Sequence, residues 1–567
     1  MNRIILSGLM IAILLSSACT KEFVSKDLKL EETITSLTQK TAERQFAEIL
    51  SKAVSENEDI RYFLKTEALK QFDNDYDVFY PFIKNVIVAN NKTFRDLIIP
   101  YAKNEEQLIE IEVTVPKLTI LIPDFSWVSK DCFNVRNWNT SSGNIAVGYD
   151  DGLYNHPIFY NGILLGEMPS DAFPEFPVLI VKSNERMKIS HNTKSGMPEF
   201  DFIDKIFDGT KRNETKGGMW GYGEWDMYNE NKPFDLVNNI DNFISAEELN
   251  AISPETIRAY EEFGLGWNNG IQRDYILYGM SKTNTNNGHL NPFRRELLYR
   301  FCLTPEGIKS IADDYRDPNI KNALHTGRDD RPGFNNALRR LWGDGNFEIK
   351  LEFFQNSKEG GSGFIGSINL SIRPHEAMYI KKLHRTFQWN FFGNNWSSYS
   401  ISSIDDIEPK WYYPGDRGGA LSIINTTWNL SNVSDNIWIK ISEFDEESIT
   451  TEEKSQSFKH SSSVQANASG TLKKIGLGVS GSYGEEKSVT SHFKYQVNHG
   501  ADDMGDCFLE YADNIVTNKG IFTKGAGYKL KVLGSDWCTF SFIPIDIRNE
   551  DRLIEYLYKR KERIKNE

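Results

Sequence analysis

The sequence predicts an α+β protein, predominantly β, with a helical N-terminal region, antiparallel β-sandwich-like domains after it, and a C-terminal helix. Three observations carry this. Apolar residues recur at three- and four-residue spacing near the two ends of the chain, whereas through most of the middle they alternate with polar ones. The third is an aromatic share of 13%, with 35 Phe and 12 Trp, which suits half-buried pleated surfaces. A chain of 567 residues has room for three to four domains at about 150 residues each. Its 39% hydrophobic and 25% charged residues exclude the disordered and low-complexity classes. Net charge is −14, so the clustered Lys and Arg that a nucleic-acid partner requires are missing at the level of composition.

The first element is an address. Met1-Asn2-Arg3 precedes an apolar run from Ile4 to Leu15, too short for a membrane span of about 20 residues and suited to a signal peptide over 1–18. Leu15-Ser16-Ser17-Ala18-Cys19 resembles the bacterial lipobox. That resemblance implies cleavage before Cys19, acylation of its thiol and new amino group, and attachment to the membrane through lipid on Cys19. Thr20 follows in place of the Asp associated with inner-membrane retention. Residues 19–28 then form the lipid anchor and a polar tether.

Residues 29–108 read as helical. Phe46, Ile49, Leu50, Ala53 and Val54 repeat at helical spacing, Ile60, Phe63, Leu64 and Ala68 repeat it again, and Ser55 with Glu58 has the spacing of a capping box. Asp73, Asp75 and Asp77 then alternate as in a calcium loop, but Val78 and Lys84 stand where an EF-hand needs Gly and a bidentate acid. From Ile109 the period becomes two, through Ile111, Val113 and Val115, which predicts a β domain over 109–192. Residues 193–270 are a loop-rich connector with some helix at 246–263, and 271–440 form a second β domain, its strands beginning at Gln272–Tyr278 and including Phe347–Phe354 and Ile437–Ile441. The Ser/Thr-rich stretch 441–545 reads as an extended β-hairpin region, and 546–567 as a helix with Leu553, Ile554, Leu557 and Tyr558 on one side.

Catalytic signatures are sparse: the sequence has no HExxH, no GxSxG and no Walker loop, so no catalytic residue, cofactor or metal ligand is assigned. Glu224 and Asp226 flank Trp225 as a glycosidase pair would, and Trp220 and Trp225 are candidates for stacking on a glycan. Of the cysteines beyond the anchor, Cys507 and Cys538 are the preferred disulfide pair in an exported protein.

The lipobox, Ala68–Asp77, Phe173–Pro177 with Asn184-Glu185-Arg186, and Gln272-Arg273-Asp274-Tyr275 together resemble the large outer-membrane lipoproteins of Bacteroidetes-type bacteria. The resemblance implies a lipid-anchored outer-membrane protein, facing the periplasm or the cell surface, and carries no known activity; with no catalytic motif in the sequence, the expected role is non-enzymatic binding, with a glycan or a protein as the ligand. Within 448–497, Val464, Ala466 and Ala468 alternate with polar residues, as do Ile475, Leu477 and Val479, and no proline interrupts them. This segment resembles the amphipathic hairpin of aerolysin-type pore-forming proteins, which implies a second role in which the hairpin enters a bilayer.

Overall fold

The computed structural model describes residues 37–560, apart from 150–154, 170–171, 191–198, 211–241, 264–270, 282, 285–287, 312–345, 358–361, 392–393, 402–403, 418–419, 444–448, 462–463, 467–470, 475–485, 499–502, 512 and 523–524. Cys19, Trp220, Glu224, Trp225, Asp226, Ala468, Ile475, Leu477 and Val479 therefore lie outside the described residues. The chain is mixed α+β and predominantly β, built of several small, almost wholly antiparallel sheets with helices at both ends.

Helix α1 (Gln39–Glu56) buries Phe46, Leu50, Ala53 and Val54 on one stripe. A single residue, Asn57, separates it from α2 (Glu58–Ala68) and caps the second helix by accepting from the Ile60 amide. The expected Ser55–Glu58 capping box is not formed; the Ser55 hydroxyl donates instead to the Lys52 carbonyl of its own helix. Residues expected to open the first strand form helix α3 (Glu105–Thr114), capped by Asn104, with Glu105 and Glu106 at its positive end. Glu112 accepts from Tyr80, Lys84 and Arg95, which outweighs the cost of burial and holds its carboxyl below the usual range. Helix α3 buries Leu108 and Ile111 and leaves Ile109 and Val113 outside, so the two-residue alternation was not the pattern that burial followed.

Behind these helices stands a six-stranded sheet in the order β1-β2-β6-β3-β4-β5: β1 (Asp77–Phe79), β2 (Leu118–Leu121), β3 (Ala146–Tyr149), β4 (Asn155–Tyr160), β5 (Ile163–Pro169) and β6 (Val178–Ser183). Strands β3 and β6 run parallel, the other pairs antiparallel. Asn161 and Gly162 link β4 to β5 with φ of 46° and 76°, the left-handed pair that a two-residue hairpin turn demands.

Residues Gln272–Tyr278, expected as a strand, lie in helix α4 (Ile271–Tyr278). Strands then resume with β7 (Arg294–Leu303), β8 (Phe347–Asn356), β9 (Ser362–Ile372) and β10 (Asn436–Glu443). Next come β11 (Ile449–Ser461), β12 (Glu486–Asn498), β13 (Asp503–Glu510), β14 (Val516–Phe522) and β15 (Cys538–Asp546), and helix α5 (Glu550–Tyr558) follows. A four-stranded sheet orders as β9-β8-β10-β13; β7 and β15 pair at the centre of another. The main core runs continuously from Phe46 and Leu50 through Val147 and Ile180 to Phe353, Ile439 and Phe542.

Helix α4 reaches the strands by a side chain that mimics a strand edge. Gln272 is buried; its Oε1 accepts from the amides of Ile515 and Val516, and its Nε2 donates to the Val516 carbonyl. Next to it, Arg273 donates to Glu296 on β7 and to the Asp513 carbonyl, while Trp428 Nε1 donates to the same Glu296. Gln272→Ala leaves two amides and a carbonyl unpaired in a dry place, so a loss of about 2–4 kcal/mol is expected, read as a lower urea midpoint at unchanged slope.

Candidate functional site

Two features flagged by the sequence are brought together by the fold, and a third stands apart from them. Asp73 and Asp75 lie in the turn between α2 and β1, where Gln71 and Asn74 adopt left-handed φ angles of 50° and 68°, and Asp77 opens β1 itself. Asn184, Glu185 and Arg186 follow β6 in the same sheet, and Lys182 ends that strand's buried run. Because β1 and β6 both pair with β2, the two acidic and basic motifs face one another.

Their geometry is a buried ionic lattice. Arg186 has no exposed surface; its Nε donates to Glu348 on β8 at 2.9 Å, its Nη2 to Asp75 at 3.2 Å and its Nη1 to the Asp73 carbonyl at 3.2 Å. Lys182 Nζ lies 3.1 Å from Asp77 and 2.9 Å from Glu185. Asn184 Nδ2 donates to both Asp73 at 3.1 Å and Asp77 at 3.3 Å. Burial would lower the pKa of both cations, but Asp77 and Glu185 hold Lys182 up, and Asp75 and Glu348 do so for Arg186. Burial pushes the Asp73 and Asp77 carboxyls up, in Asp77 strongly, against the opposing pull of Arg186 and Lys182.

This arrangement does not hold an ion in the manner of a calcium loop. The carboxylates are spent on Lys182, Arg186 and Asn184, and no group of three or more metal-ligating side chains is assembled among the described residues. What the lattice can do is lock: Arg186 joins the turn before β1 to β8, a strand of a different sheet. No regular spacing announces such a lattice, although both motifs were visible as unusual strings of charge. The cysteines offer no nucleophile. Cys132, Cys302, Cys507 and Cys538 all carry free thiols, and burial pushes each of them up, Cys302 and Cys538 to about 12. Cys507 sits on β13 and Cys538 on β15, in separate sheets, where they are neighbours without a bond.

The third feature is the Ser/Thr-rich region. Strands β11 and β12 pair over thirteen positions in unbroken register, from Ile449 opposite Asn498 to Ser461 opposite Glu486, and form a two-stranded sheet of their own. The ribbon is inserted between β10 and β13, which pair with each other, and it folds back over the outer face of their sheet. Phe458, fully buried, packs with Phe354, Trp438 and Phe508. Asn356 at the end of β8 donates to Ser491 on β12, and Asp506 accepts from both Lys454 Nζ at 2.6 Å and Trp438 Nε1 at 3.0 Å. The opposite face of that sheet presents Phe353, Ile439 and Leu509 to the main core. Val464 and Ala466 fall in a short strand, Val464–Ala466, paired with Thr471–Lys474, which in turn pairs with Gly288–His289. The long arms of the hairpin are thus 449–461 and 486–498, outside the six apolar positions picked from the sequence.

The lattice makes a pH-dependent contribution whose sign follows from Asp77. A carboxyl whose folded pKa is raised stabilises the fold fully below its unfolded value, near pH 3.9, and loses that contribution as pH rises through the folded value. Urea midpoints of the wild type and Asp77→Asn compared from about pH 4 to about pH 8 are expected to diverge in the variant's favour as pH rises, because the amide carries no charge to bury. A gap that stays constant with pH would contradict this.

No protein family, curated protein or solved structure matches this chain.

Proposed function

We propose that this is a lipid-anchored protein of the bacterial outer membrane that works by binding a glycan or protein ligand rather than by catalysis. The observation that carries the reading is Leu15-Ser16-Ser17-Ala18-Cys19, placed ahead of a polar tether that leads to a body whose first described residue is Leu37. Among the described residues no helix is long and apolar enough to cross a membrane, and this reading attaches the protein through lipid on Cys19. The chemistry in view also favours binding: Asp75, Asp77 and Glu348 are committed to Lys182 and Arg186, and burial raises the pKa of the four described thiols.

A second reading rests on the ribbon. Thirteen residues per arm span about 44 Å at about 3.4 Å each, more than the bilayer core of about 30 Å requires. Among the described residues the arms pair with one another and with no third strand, and Phe458, Lys454 and Ser491 seat them on the sheet. Such a ribbon can leave its seat with its internal register intact and join others in a barrel.

Two experiments test these readings. Cys19→Ser is expected to move the protein out of the outer-membrane fraction and to abolish incorporation of labelled palmitate; unchanged sedimentation would remove the anchor. For the ribbon, protein lacking residues 1–19 is expected to release dye from liposomes. The Asn356→Cys/Ser491→Cys pair, where the native side chains are 2.5 Å apart, is expected to block release when oxidised and restore it on reduction. Release that ignores the staple, or its absence at concentrations where the protein oligomerises, would sink the second reading.

A further inference from the structure

Helix α3 carries an apolar stripe that the described chain does not cover. Leu108 and Ile111 face the core, yet Ile109 is 47% and Val113 75% exposed on the other side. Glu106, Ile109, Glu110 and Val113 fall at i, i+3, i+4 and i+7, so they form one row along the helix. With Thr114 and Leu37 they line a shallow groove, and Leu37 is the residue at which the chain enters the described structure. Helices α1 and α3 lie side by side, joined by Gln107 Nε2 donating to Gln45 at 2.9 Å.

We propose that the groove is the seat of the chain's own segment 28–36, which leads from the end of the tether into α1. Leu30, Ile34 and Leu37 recur at i, i+4 and i+7, the spacing that lays apolar side chains along a helical row, and Leu37 is already in place at the groove. Lys29 and Lys26 precede the apolar positions and complement Glu106 and Glu110; Glu31 and Glu32 fall between the apolar positions. Docking stands apart from acylation. Its consequence rests on the anchor reading: only residues 20–27 stay free, about eight residues spanning at most about 27 Å, in place of the roughly 58 Å that residues 20–36 would allow. The tether then acts as a short leash that fixes the height of the body above the leaflet.

Disulfide trapping in the full chain tests this. Ile34→Cys with Val113→Cys is expected to link within one molecule under mild oxidation at least about tenfold faster than Glu32→Cys with Val113→Cys, since linkage rate follows effective concentration. Val113 is too exposed for its replacement to disturb folding. Maleimide is expected to reach Val113→Cys more slowly than Ile521→Cys, at a position 90% exposed. Equal linkage rates, or equal maleimide rates at the two positions, overturn the proposal. A link between two molecules that grows with protein concentration would assign the groove to a second copy, and protection seen only on vesicles would assign it to a lipid surface; each overturns it too. Repeating the trap on Cys19→Ser separates failure of docking from failure of the anchor, because the intramolecular link is expected to survive that change.

Discussion

A guanidinium taken wholly out of water must be met by opposite charge, and in this protein Arg186 sets that demand. Removing such an ion from water costs several kcal/mol, a cost that is recovered only if partners satisfy its fixed fork of donors. Arg186 finds them in Asp75, Glu348 and the Asp73 carbonyl, three groups that come from the turn before β1 and from β8. These are distant in sequence and belong to separate sheets, so the charge can be satisfied only when both are in place. Lys182 repeats the constraint on a smaller scale with Asp77 and Glu185. The lattice therefore acts as a condition on folding: a mispacked pair of sheets leaves a cation dry and alone, a penalty larger than one hydrophobic contact can offset.

The same economy of placement explains the two-faced sheet β9-β8-β10-β13. Its inner face joins the main core through Phe353, Ile439 and Leu509, while its outer face carries Phe354, Trp438 and Phe508, which water would leave as a contiguous aromatic patch. Among the described side chains of the ribbon β11–β12, Phe458 packs over that patch, and Lys454 and Ser491 add polar contacts beside it. Where an ordinary sandwich would place a second sheet of several strands, the described residues place here two long strands that pair with each other.

Much of this was legible from sequence where burial followed one period. Helices α1 and α2, strands β8 and β10, and helix α5 lie where apolar spacing put them. The reading failed where two periods were both present. Ile109, Ile111, Val113 and Val115 alternate as a strand would, but Asn104 caps and Glu105 and Glu106 sit where the helix dipole favours acid, and the helix formed at the expense of leaving Ile109 and Val113 outside. Gln272–Tyr278 failed for the complementary reason: its Gln and Arg serve as buried links to β14 and β7, and a strand-like composition is what such a helix shows when its polar residues are inside. The lattice was half legible. Asp73–Asp77 and Asn184–Arg186 stood out as strings, but their pairing depends on both β1 and β6 flanking β2, and no local pattern encodes which strands will be neighbours.

If the ribbon works in a membrane, its own geometry dictates that it does not work alone. Every position of β11 is paired with β12, so the inner edges would bring no unsatisfied backbone into lipid, but each outer edge would carry there the amides and carbonyls that point away from the partner strand. Hydrocarbon cannot pair them, and each unpaired group costs several kcal/mol there, so insertion is favourable only when copies stand edge to edge and close a barrel. Leaving the seat also uncovers Phe354, Trp438 and Phe508, at about 1.5–3 kcal/mol for each ring fully exposed. Both costs fall on assembly, and assembly is where a lipid anchor contributes. Were chains held by Cys19 in one leaflet, as proposed, they would diffuse in two dimensions at a fixed height, which would raise their effective concentration and present every ribbon at the same level. The anchor and the ribbon, the two features that look least compatible in a single chain, are on this argument parts of one device.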